Sequence, residues 1–374
     1  MQAFEKLAEV SKTLQNSYVS VWKDQGKKAV GYVCTYMPEE ILYAADILPF
    51  RITGRGVSDT SKADSCLTRV NCTFVRCCLE LGMGGEYDFL DGAVWVNGCD
   101  HIRRCYDNWK AKAPLPFMYM LPVPHKIFAE GRQWYKEEVV MLKEAVEDYF
   151  DVEITPDKLA ESVGIYNETR RLLRRLYDLR ASDEPPVTGA EVLSILSAGV
   201  AMPKTEFNRL LGDFLQEVEK RPRTSNAKVR LLVAGSIMDD PEFIENVEEL
   251  GAIVVADALC FGARGFWDLI DEKGDVFENL IDRYYMHVPC PRMAGEYPKR
   301  LDFIKDQIKR AHVKGVILQH IRSCDLHGTD NALLKQDLEK EGIATMELER
   351  QYGPLADAGR IRTRVQAFLE RIGG

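Results

Sequence analysis

Short apolar runs alternate along this chain with longer amphipathic stretches, and that alternation leaves few folds open. "VGYVC" (30–34), "GAVWV" (92–96), "VRLLVAGS" (229–236), "AIVVADALC" (252–260) and "GVILQH" (315–320) each read as a strand, with helical patterns between them. "LPFMYMLPVPH" (115–125) and "IATMELE" (343–349) read as further strands. Strands that alternate with helices at this spacing build βαβ units, whose parallel sheets are covered by helices on both faces. Residues 1–24 read as helical, and 132–219 as polar-faced helices; the best linker is "RPRTSNAK" (221–228). The expected class is therefore α/β, in two parallel-sheet domains. The first, 1–220, carries an N-terminal helix and a helical insertion at about 132–219; the second spans 228–374.

With 374 residues, each half is long enough to bury its own core. The formal net charge of −9 argues against a nucleic-acid backbone as the main partner. No apolar run approaches the ~18–20 residues of a membrane span. The opening "MQAFEKLAEVSKTLQ" lacks the apolar block of a signal peptide. These features fit a cytoplasmic protein with no membrane partner.

Ten cysteines then stand out, since cytosolic thiols stay reduced and serve as metal ligands more often than as disulfides. Ligands of parallel α/β sheets bind outside the carboxyl ends of the strands. Six cysteines occupy or adjoin such places. Cys34 ends "VGYVC", Cys99 follows "AVWVNG", Cys260 ends "IVVADALC", Cys290 ends "YYMHVPC" and Cys324 follows "GVILQHIRS". Cys72 opens a helix, where free N–H groups and the helix dipole favour a thiolate. Cys77, Cys78 and Cys105 lie inside helical patterns and Cys66 in a polar run, which fits ordinary packed thiols. The six lack the close pairing of zinc knuckles and have no histidines at ligand spacing. Widely spaced thiols from several strand ends suit an iron–sulfur cluster better.

Several segments sharpen this reading: "GYVCTYMPEEILYAADILPFRI", "CTFVRCCLELGMGGEYDFLDGAVWVNGCDHIRRCYDNW", "DDPEFIENVEELGAIVVADALCFGARGFWD", "VPCPRM", "RSCDLHG" and "GRIRTRVQAFLE". In order and detail the chain resembles the 2-hydroxyacyl-CoA dehydratase and benzoyl-CoA reductase superfamily, which includes the double-cubane cluster proteins. The resemblance implies two flavodoxin-like (Rossmann-like) domains with an iron–sulfur site in the cleft between them. It maps the three cysteines of a 4Fe–4S cluster onto Cys72, Cys99 and Cys324, with Asp100 and Asp325 capping the helices that follow. Adding Cys34, Cys260 and Cys290 gives enough thiols for a double-cubane (8Fe–9S) cluster. A single 4Fe–4S cluster with those three as bystanders is the alternative.

The resemblance also implies ATP-driven, low-potential reduction of a small unsaturated or CoA-thioester substrate. Two other readings stay open: ketyl-radical dehydration of a 2-hydroxyacyl-CoA, and electron storage or relay with no substrate. No phosphate-binding loop is present, and "LGMGGEYD" and "ITGRGVSD" read as turns. A separate ATP-hydrolysing iron–sulfur activator is therefore expected, with dimerisation through an identical or homologous subunit. His101, Glu39 and His327 are the candidates for proton delivery, with Glu40 and Asp325 behind them. Arg103 and Arg104 are candidates for balancing cluster charge or meeting a CoA phosphate.

Overall fold

The computed structural model describes residues 2–221, 229–353 and 358–373. The expected linker lies, apart from Arg221, outside the described residues. Among the described residues the chain forms two four-stranded, wholly parallel sheets. The first comprises β1 (Lys28–Tyr32), β2 (Ile47–Arg51), β3 (Gly92–Val96) and β4 (Phe117–Leu121), in the order β2-β1-β3-β4. The second comprises β5 (Val229–Gly235), β6 (Ala252–Ala258), β7 (Gly315–Ile321) and β8 (Ala344–Arg350), in the order β6-β5-β7-β8. Both follow the flavodoxin-like sequence, in which the order reverses between the first and third strands and leaves a crevice at their carboxyl ends.

Both faces of each sheet are covered, which is why the strands read as continuous apolar runs. In β3, Ala93 and Trp95 face a central core while Val94 and Val96 face an outer one. In β5, Leu232 and Ala234 join that same central core while Leu231 and Val233 face the opposite side. One apolar core thus runs between the two sheets, and each sheet has a second core on its far face.

The helical insertion takes form as Ala129–Phe150, Pro156–Ala181, Gly189–Gly199 and Lys204–Val218. Its first helix packs on β4, whereas the second and third lie against β6 of the other sheet. The Pro156–Ala181 helix is pinned to each half by a buried ion pair. Arg170 meets Glu40 at 2.5 Å and Arg180 meets Asp257 of β6 at 2.7 Å. It is a strut between the sheets rather than an appendage of the first.

Two helices between β6 and β7, Val276–Met286 and Tyr297–Arg310, are not separable by sequence pattern. The first changes the reading of "YYMHVPC". Cys290 follows a helix and a short loop, not a strand. The aromatic residues that imitate a strand there, Tyr284 and Tyr285, are the buried face of that helix.

At the end of β5 the crevice demands a glycine. Gly235 has φ of 128°, and a Cβ there would sit 1.7 Å from the Gln319 carbonyl oxygen of β7. Only glycine lets the two strands approach so closely in this conformation.

A candidate cluster site of six cysteines

The segments that follow β1, β2, β3, β5, β6 and β7 wall a single cavity of about 870 Å³, mouth included. Cys34, Cys72, Cys99, Cys260, Cys290 and Cys324 all line it. All six are free thiols. The remaining wall is mainly apolar, with Val33, Phe74, Ile102, Val288 and Ile321. Among the described residues no carboxylate lines it; three guanidinium groups, Arg51, Arg264 and Arg292, do. Among the described residues no three His, Cys, Asp or Glu side chains converge as the ligands of one metal ion would. The thiols surround a space instead of meeting at a point.

Three of the six share one local design. Cys72, Cys99 and Cys324 are the N-cap residues of Thr73–Gly84, Asp100–Lys112 and Asp325–Lys340. The expected capping by Asp100 and Asp325 does not occur, because each aspartate is already the first helical residue. Asp100 instead forms an exposed ion pair with Arg103. The sulfur takes the place beside the helix amides, where N–H groups and the dipole favour negative charge. Ser323 adopts a φ of 66° just before Cys324, a left-handed turn into that position.

Burial works against ionising these thiols. It pushes Cys34 up to about 11 and Cys324 up to about 12, and raises Cys72 and Cys99 as well. Helix amides offset part of this: Val75 and Phe74 act on Cys72, Ile102 and His101 on Cys99, His327 on Cys324. The sulfurs also raise one another, Cys99 and Cys324 acting on Cys72, and Cys290 on Cys34. A bound metal deprotonates such thiols outright. In the metal-free folded chain, Cys34 is expected to react with iodoacetamide at pH 8 about a hundredfold more slowly than in the unfolded chain. Peptide mass spectrometry of timed samples measures this, and equal rates would refute it. Because the folded pKa is the higher one, the stability these protons contribute is complete below about pH 9. It is lost as pH rises through 11 to 12.

Two of the arginines brace the cavity across the two halves, and Arg264 braces it within the second. Arg51, at the end of β2, donates to the Cys260 carbonyl at 2.8 Å and to the Cys260 sulfur at 3.3 Å. Arg292 donates to the Val123 and Pro124 carbonyls at 2.8 and 3.0 Å, tying the Cys290 loop to the loop after β4. Arg264 reaches the Gly235 carbonyl at 3.0 Å. Sequence reasoning did not single out these three, although Arg292 stands two residues after Cys290 and Arg51 closes a strand.

The expected proton donors fall in different places. His327 lies on the cavity wall, and burial with Arg264 and Arg300 nearby holds it well below the usual histidine range. His101 is half-buried; its Nδ1 accepts the Cys72 N–H at 3.3 Å, and burial lowers its pKa. It holds the backbone of a thiol rather than lining the cavity. Glu40 is fully buried, bonded by Arg170 and by the Tyr284 hydroxyl at 2.6 Å. Asp325 is exposed, as are Arg103 and Arg104.

Glu39 lines a second chamber of about 590 Å³, which shares Thr35, Arg51 and Cys260 with the first. Burial raises the Glu39 carboxyl, but Lys204, Tyr32 and Arg51 outweigh that and leave it below the usual range. Lys204 stands 3.1 Å away. Held below the usual carboxylate range, Glu39 favours its ionised form and must first take up a proton before it can donate one.

Cys77, Cys78 and Cys105 are buried in helices and line neither space. Cys66 bonds the Ala63 carbonyl, as a packed thiol does.

The family model described as 2-hydroxyglutaryl-CoA dehydratase, D-component, matches residues 34–372. The chain belongs to this family. It is similar to a benzoyl-CoA reductase subunit of Thauera aromatica, 29% identical over 81% of each chain. It is 24% identical to the (R)-phenyllactyl-CoA dehydratase beta subunit of Clostridium sporogenes, over 93% of this chain and 92% of that one. Against the beta subunit of (R)-2-hydroxyglutaryl-CoA dehydratase of Acidaminococcus fermentans the identity is 25%, over 100% and 98%. The protein is thus a component of the dehydratase and reductase type. No helix among the described residues is long and apolar enough to cross a membrane.

Proposed function

We propose that this chain is the iron–sulfur catalytic component of an ATP-driven reductase and holds a double-cubane cluster. Cys34, Cys72, Cys99, Cys260, Cys290 and Cys324 are its proposed ligands. The observation that carries the reading is their position: all six and, among the described residues, no carboxylate line one cavity. Soft thiolate donors spread around a space suit a group in which each sulfur binds a different iron. Such a cluster supplies single electrons at low potential.

The chain's own residues set the conditions. Apolar walls keep water away from the thiolates, and Arg51, Arg264 and Arg292 offset their negative charge. The Arg51 N–H on the Cys260 sulfur and the helix amides on Cys72, Cys99 and Cys324 stabilise the anionic form. His327 on the wall and the Lys204–Glu39 pair in the adjoining chamber are the proposed proton route. The energy source is a separate ATP-hydrolysing iron–sulfur activator, and the working form is a dimer with an identical or homologous subunit. Relatives named as subunits of reductases and dehydratases support that assembly.

A second reading is a 2-hydroxyacyl-CoA dehydratase subunit with one 4Fe–4S cluster on Cys72, Cys99 and Cys324. The shared N-cap design of those three favours it. Iron and acid-labile sulfide per chain, measured on anaerobically purified protein with an EPR spectrum of the reduced form, decide between the two. About eight irons support the double cubane and about four the single cluster. Colourless, iron-free protein refutes both.

A further inference from the structure

The chamber beside the cysteine cavity holds more buried positive charge than its carboxylates balance. Arg51, Arg170, Lys204 and Arg283 line it. Glu39 pairs with Lys204 and Glu40 with Arg170. Among the described residues, Arg283 bonds only the Asp268 and Gly265 carbonyls, and Arg51 only the carbonyl and thiol of Cys260. Burial and Arg170 hold Arg283 below the usual arginine range, with Glu40 and Asp268 acting against them, and Arg51 faces Glu39 and the thiols of Cys260 and Cys34, so the chamber is rich in buried cations that these groups balance only in part.

A second observation points the same way. The Arg51 Nε and the Tyr166 hydroxyl are sealed from solvent and have no hydrogen-bond partner. Both residues line the chamber, and each is only 3% exposed. Orphaned buried donors in a native fold need a partner that the protein itself does not supply. The guanidinium is held over the Phe261 ring, its central carbon 3.8 Å from the ring centroid, and by its two bonds to Cys260.

We propose that this chamber is a subsite for a small carboxylate, whose oxygens accept from Arg51 Nε and the Tyr166 hydroxyl beside Cys260. As a binding site it stands independently of the cluster; as the substrate's seat it rests on the function proposed above. The substrate class then narrows to small unsaturated carboxylates, held with one end at Arg51 and the other toward the cysteine cavity.

Calorimetric titration of the anaerobically purified protein in chloride-free buffer tests this, with acrylate as probe and acrylamide as its uncharged counterpart. Iron is measured on the same samples. Acrylate is expected to bind saturably, and acrylamide at least about tenfold more weakly. Tyr166→Phe, which keeps the ring and removes only the hydroxyl, is expected to weaken acrylate about tenfold with iron content unchanged. Arg51→Gln is expected to weaken it further. No acrylate binding, equal binding of the two probes, or undiminished acrylate affinity in Tyr166→Phe would overturn the proposal. Iron-loaded protein that ignores acrylate defeats this inference alone, whereas iron-free protein that binds acrylate defeats only the cluster.

Discussion

Replacing Cys34, Cys260 and Cys290 together by serine is expected to halve the bound iron, from about eight to about four per chain. The three line the same cavity as Cys72, Cys99 and Cys324, but none of them is the N-cap of a helix. Under the single-cluster reading the wild type already carries about four irons, and this variant keeps them all. The reciprocal replacement of Cys72, Cys99 and Cys324 separates the readings from the other side. A single cluster is then lost entirely, while a double cubane leaves at most about four irons. Serine is small enough for each site, so the fold is expected to survive, and the measurement is iron and sulfide analysis with EPR.

The largest stability effect is expected from Arg170→Met. Arg170 and Glu40 are buried together, the glutamate fully so, and the Tyr284 hydroxyl is the glutamate's other side-chain partner. Removing the guanidinium strands a carboxylate in the core, which costs about 3–5 kcal/mol, whereas replacing both partners is far milder. Arg170→Met should therefore lower the denaturant midpoint sharply, and Arg170→Met combined with Glu40→Gln should recover much of the loss. A single variant within about 1 kcal/mol of wild type, read from denaturant melts, would show that the strut does not depend on this pair.

The strands were legible because a parallel sheet buried on both faces leaves an unbroken apolar run, as in "GAVWV" and "AIVVADA". The same logic failed at "YYMHVPC", where aromatic side chains on the buried face of a helix imitate a strand. Of the site, the cysteines could be picked out because strand-end and helix-start positions are set by local pattern. The cations could not. Arg51, Arg264 and Arg292 are buried charged residues whose partners lie far off in sequence, those of Arg51 and Arg292 in the opposite half of the chain. The place of Glu39 in a second chamber depends on Tyr166 and Lys204, which the insertion brings back from more than a hundred residues away. That a cysteine rather than an aspartate stands at the N-cap position of Asp100–Lys112 and Asp325–Lys340 turns on a shift of one residue, finer than sequence patterning resolves.

The cavity wall is interleaved along the chain, and that has a bearing on how the protein is made. Cys34, Cys72 and Cys99 leave the ribosome early; Cys260, Cys290 and Cys324 follow only after the whole helical insertion has been synthesised. The strut can lock only once Asp257 exists to receive Arg180. A cofactor that needs thiols from both groups cannot be completed before the chain has been made as far as Cys324, and so not before the whole insertion is in place.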